Sequence, residues 1–154
     1  MRRLRRLAGN KTTDLDEAKN LGWVCIVDQA FISGEELLKT FIETSEAGES
    51  AYVRLFIIRS QNAADDYRWC LRDVFFDGES YYVATLRRSG REYIHKRFQY
   101  FVISEGIQYA RGSEHYFITN DPEITADNYA WTFLSSDVVE QFDCEDLFDI
   151  KTDP

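Results

Sequence analysis

The chain has 154 residues, 44% of them hydrophobic and 15% aromatic, with only two Pro and eight Gly, so it buries one sizeable core and leaves disorder to its ends. Its net charge of −9 argues against general binding to nucleic acid or an anionic membrane, because phosphate repels such a field. Cys25, Cys70 and Cys144 are widely spaced and odd in number, unlike the dense disulfide framework of a small secreted scaffold, and fit a reducing compartment.

Residues 1–20 read as a basic and polar tail. Arg2, Arg3, Arg5 and Arg6 are followed by Ala8-Gly9-Asn10-Lys11, and no apolar run is long enough for a signal peptide or a membrane span. A cytoplasmic location is expected, or export or lipid anchoring if a leader was removed. A single α+β domain is expected over residues 21–150, with 151–154 as a C-terminal tail. Trp23 to Val27 is a β-branched apolar run between Gly22 and Asp28 and predicts a strand. Next, Ser33 and Glu36 have the spacing of a capping box, Ile32 is placed to staple against Leu37, and Leu37, Leu38, Phe41 and Ile42 form a helical stripe ended by Gly48.

From residue 51 to 119 the pattern turns to an antiparallel meander. It carries ten of the eighteen Lys and Arg residues. Tyr52 to Arg59 alternates, Tyr67 to Phe76 follows a polar loop, and Asp77-Gly78 signals a two-residue hairpin into Tyr81 to Arg88. Ser89-Gly90 turns into one long strand from Glu92 to Ser104, and Glu114 to Thr119 supplies the last. Asp121-Pro122 breaks the sheet, and Thr125 is placed to cap a short second helix. The final stretch, Asp137 to Pro154, mixes apolar residues with seven acids.

Counting outward from two tight hairpins sets Phe76 opposite Glu79, Asp73 opposite Tyr82, Tyr82 opposite Arg97 and Ala84 opposite His95. Asp73, Tyr82, His95 and Arg97 then share one face with Trp69 and Tyr93. A carboxylate, a phenol, an imidazole and a guanidinium walled by aromatics are what a small-ligand site needs, although such ladders also decorate solvated sheets. No catalytic residue is assigned, since nothing places a nucleophile or a burying pocket beside His95. His95 and His115 are the only histidines, and neither lies at ligand spacing from a cysteine, so neither metal nor cofactor is expected. Arginines interleaved with aromatics on the meander would suit nucleic acid, but the acidic flanks oppose it.

The run Tyr116-Phe117-Ile118-Thr119-Asn120-Asp121-Pro122, followed by Thr125 and Leu134-Ser135-Ser136, resembles small uncharacterised bacterial proteins of about this length. In that group a helix precedes an aromatic-rich meander with a Phe-Asp-Gly turn, matched here by Phe76-Asp77-Gly78. The resemblance implies a bacterial source and no assigned activity, and members are often lipid-anchored outside the cell.

The expected fold is α+β, with one N-terminal helix on a four- to five-stranded antiparallel meander and a short second helix near the C-terminus. The expected function is non-enzymatic protein binding through an acidic surface, with a basic partner. The alternative is a small-molecule receptor or an enzyme using the polar cluster on an open sheet face. The sequence leaves the oligomeric state open.

Overall fold

A computed structural model describes residues 14–59, 68–87, 90–105, 113–121 and 144–152; the side chains of 68, 87, 90–95 and 104–105 lie outside that description. The protein is α+β, with antiparallel pairing dominant. The chain divides into two compact units, Met1–Lys96 and Arg97–Pro154.

The first unit opens with helix α1, Leu15–Asn20. The Asp14 carboxylate caps it, accepting from the amides of Asp16 at 2.9 Å and Glu17 at 3.3 Å. Residues 15–20, read from the sequence as part of a polar tail, are helical here. Leu15 and Ala18 are too few to register as an apolar stripe, yet Ala18 is fully buried.

Strand β1 is Val24–Val27 and strand β2 is Ala30–Ser33. They form a hairpin through Asp28 and Gln29, both at positive φ (47° and 65°), a turn that sequences usually mark with Asn-Gly. Ser33 therefore ends a strand instead of capping a helix, and its hydroxyl donates to the Trp23 carbonyl at 3.2 Å. Helix α2, Glu35–Glu46, starts from Gly34, which has no side-chain cap. Gly34 sits at φ +79°, and a Cβ there would lie 2.7 Å from both the Trp23 carbonyl oxygen and the Val24 Cα. The backbone of β1 leaves no room for any other residue. Ile32 and Leu37, the expected staple, are 40% and 49% exposed. At the far end Glu49 N–H bonds the Thr44 carbonyl and Gly48 N–H bonds that of Ser45, the paired bonds of a Schellman motif with Gly48 left-handed.

Strand β3, Ala51–Arg59, runs parallel to β1 and pairs with it only from Leu55 to Ile58. On its other side it pairs antiparallel along its whole length with β4, Arg68–Phe76. Strands β5, Tyr81–Arg87, and β6, Gly90–Phe98, complete a sheet of order β2-β1-β3-β4-β5-β6.

The β4–β5 hairpin differs from the two-residue loop expected. Phe76 pairs with Tyr81 and Asp73 with Ala84, a four-residue connection. Its cause is the Asp77 carboxylate, which takes the amides of Glu79 and Ser80, each at 2.8 Å, and so draws both into the turn.

Both faces of this sheet carry a helix. Under α2, Leu38 and Phe41 are buried with Val53, Leu55, Val74 and Val83. Tyr81 closes this side, with its ring 6.2 Å from that of Phe41 and its hydroxyl donating to Ser45 Oγ at 2.9 Å. Under α1, Ala18, Cys25, Phe56, Leu71 and Leu86 form a cluster flanked by Trp23, Ile58 and Trp69. The expected open face is thus covered in this region.

In the second unit β7, Tyr100–Glu105, β8, Ser113–Thr119, and β9, Cys144–Lys151, form an antiparallel sheet of order β7-β8-β9. The long strand expected from Glu92 to Ser104 breaks at Gln99. There the Asn120 side chain accepts from Gln99 N–H at 3.0 Å and donates to the Arg97 carbonyl at 2.7 Å. Tyr116 stacks on Phe148 at 4.4 Å between ring centres, and Phe117 is fully buried against Val102 and Cys144. The helix expected after Thr125 lies outside the described residues.

The close approach at Gly34 yields the first prediction. Gly34→Ala must both adopt positive φ and displace backbone, and should cost ~3 kcal/mol or more. Gly48→Ala, whose Cβ would meet nothing within 4 Å, should cost ~1–2 kcal/mol. Urea denaturation of the two variants measures the difference, and equal losses would contradict the packing described.

Candidate functional site

Strand β1 is short because the chain enters it from Leu21-Gly22-Trp23, with Gly22 at φ +76°. Strand β3 continues past that entry, so the segment from Ala51 to Val53 extends beyond the end of β1. A groove of about 470 Å³ lies there. Its walls are Leu21 to Val24 on one side and Leu37, Thr40, Phe41 and Thr44 of α2 on the other, with Ala51 to Arg54 as its base. The helical residues recur at i, i+3, i+4 and i+7, so they occupy one face of α2. The apolar stripe is divided: Leu38 and Phe41 are buried, whereas Leu37 is exposed where it borders the groove.

Beneath the groove lies a buried ion pair. Arg54 and Asp73 are directly opposite on β3 and β4. Arg54 Nε donates to Asp73 Oδ1 at 2.7 Å and Nη2 to Oδ2 at 2.9 Å, a bidentate pair whose side chains are 5% and 2% exposed. Tyr52 O–H adds a bond to Asp73 Oδ1 at 2.9 Å. The Trp23 ring covers the guanidinium at 4.7 Å and meets Phe56 edge-on.

Burial works against the charge of Arg54, but the bonds and charge of Asp73 outweigh it and raise its pKa. Burial also raises the pKa of Tyr52, and the adjacent Asp73 carboxylate adds to the effect. These groups keep one protonation state through the neutral range. Cys25 is raised by burial as well, which disfavours its thiolate.

Of the residues singled out in the sequence, Asp73 is central, but its partners are Arg54 and Tyr52. Tyr82 pairs with Phe75 and shares the face of Asp73 two residues along. Trp69 shares that face too, four residues away, and packs in the core under α1. Arg97 is exposed in the second unit, and its carbonyl is held by Asn120. The side chains of Tyr93 and His95 lie outside the described residues.

Among the described residues no cluster of three or more His, Cys, Asp or Glu is arranged to hold a metal, and no helix is long and apolar enough to cross a membrane. No family model, curated protein or solved structure matches the chain.

Asp73→Ala leaves a guanidinium buried without its counter-charge and should cost ~3–5 kcal/mol in urea denaturation, whereas Arg54→Met with Asp73→Leu should recover most of that loss. A double variant as unstable as the single one would contradict the account. Because the Tyr52 pKa is raised, its contribution is fully present below the ordinary phenol value of 10.0 and is lost as pH rises above it. Wild type should therefore lose stability above that pH, and Tyr52→Phe should lose less, as read from urea midpoints across the alkaline range.

Proposed function

We propose that this chain is a non-enzymatic protein-binding module whose acidic surface receives a basic partner. The observation that best supports it is the groove at the end of β3, where apolar side chains stay exposed beside a row of glutamates. Leu21 and Leu37 are 48% and 49% exposed, and both border it. Helix α2 and its flanks, residues 33–50, carry five glutamates against Lys39 alone. Of these, Glu36 and Glu43 sit one helical turn either side of Thr40 on the solvent flank of the groove. Exposed leucines beside Trp23 supply apolar anchorage, and the glutamates supply steering toward a cationic partner.

The alternative, a small-molecule receptor or enzyme built on Asp73, Tyr82, His95 and Arg97, has less behind it. Asp73 is withdrawn from solvent, and both its oxygens already accept from Arg54. A carboxylate so engaged is a poor general base.

Labelled extended peptides graded in net charge test the reading by fluorescence anisotropy. Basic peptides should bind and acidic ones should not, with affinity falling as salt rises from about 50 to about 300 mM. Glu36→Lys with Glu43→Lys, both on an exposed helix surface, should slow association about tenfold without changing the fold. Binding indifferent to peptide charge, or an unchanged rate in that variant, would contradict the proposal.

A further inference from the structure

The geometry points to how such a partner attaches: an extended basic peptide segment adds as a strand to the edge of β3 at Tyr52, in line with β1 and flanked by helix α2. This rests on the protein-binding reading above and specifies its ligand and mode.

The backbone fixes the direction of the edge. Asp28 N–H, just past β1, bonds the Ile58 carbonyl at 3.0 Å, so the polar groups of Ile58 face β1. Backbone direction alternates along a strand, and β3 pairs with β4 without a bulge. The N–H and C=O of Tyr52, six residues earlier, therefore face the same way. There β1 has already ended, and the groove takes its place. A strand donor and acceptor thus face an open groove, the arrangement that β-strand addition uses.

The surroundings are already those of a sheet interior. One flank of an added strand would meet Leu37, Phe41 and Thr44, and the other would meet Trp23 and the Tyr52 side chain. Leu21 and Leu37 would lose their exposure. Side chains of an added strand alternate in direction, so apolar residues would seat against Leu37 and Phe41 while Lys or Arg residues between them reach outward.

Charge selects the occupant. Among the described residues lining the groove the one cation, Arg54, is already paired with Asp73, whereas Glu36, Glu43 and Glu49 stand exposed along α2 and its exit toward Ala51. A second copy of the chain brought edge to edge would set two such rows of glutamates near each other. A basic segment neutralises them instead.

An alternating Lys/Val peptide, unlabelled and as a fluorescein conjugate, serves as the probe with the full chain. It should bind, and an N-methyl version blocked on alternate amides along one edge should bind at least tenfold more weakly. Saturating peptide should slow hydrogen exchange of the Tyr52 amide at least tenfold, read by nuclear magnetic resonance. Leu37→Lys, at an exposed position, should weaken binding at least tenfold. Equal affinity for the N-methyl peptide, or unchanged Tyr52 exchange at saturation, would overturn strand addition while leaving the protein-binding reading in place. Binding of neither this peptide nor any other basic peptide would remove that reading as well. Tyr52 protection that rises with protein concentration in the absence of peptide would overturn the proposal in favour of a second copy.

Discussion

A guanidinium and a carboxylate withdrawn from water must meet in good geometry, and the Arg54–Asp73 pair imposes that condition on the centre of the larger sheet. Each charge would be costly alone, and the two bonds between them are available only when β3 and β4 pair with these residues opposite. A slip of one residue would turn Arg54 toward α2 and its apolar partners. The pair also organises its neighbours. Tyr52 bonds the carboxylate, Trp23 covers the guanidinium, and Trp23 in turn leads directly into β1. Buried pairs of this kind contribute little net stability compared with apolar replacements, so their consequence here is register.

Fixed register in β3 meets a second constraint at Gly34. Helix α2 begins against the backbone of Trp23 and Val24, so the chain can enter β1 only at that height. Strand β3 meanwhile continues to Ala51, where the Schellman turn at Gly48 delivers it from the helix. One long strand, one short parallel neighbour and a helix overlying both leave a groove where the shorter strand stops. The candidate site therefore arises from a mismatch in strand length, and its edge donors and apolar walls come from the scaffold itself.

Much of this scaffold was legible in the sequence. The helix over residues 35–46 declared itself through Leu38 and Phe41 and through Gly48, and β3 through its alternation. Strand β2 was hidden because its turn uses Asp28 and Gln29, and its four residues carry no strong pattern. The cap assigned to Ser33 failed for the same reason, since that hydroxyl serves the hairpin. The sequence marks Asp73 as a candidate but points to partners across the β4–β5 turn, where a two-residue loop would fix the register. Its real partners lie across the β3–β4 connection, where the polar residues between Arg59 and Arg68 give no count of register. The groove was illegible in principle, because it depends on where β1 stops relative to β3, and local periodicity does not encode relative strand length.

The edge of β3 is open at Tyr52, while the same strand is closed further along by β1. Residue-resolved native-state hydrogen exchange of the peptide-free chain measures this directly, because Tyr52 and Phe56 present their amides to the same side of β3. Phe56 lies within the β1 pairing. Its amide should exchange with the slowest class, and that of Tyr52 at least ~100-fold faster. Equal protection of the two amides would mean that this edge is already filled, and would contradict the account.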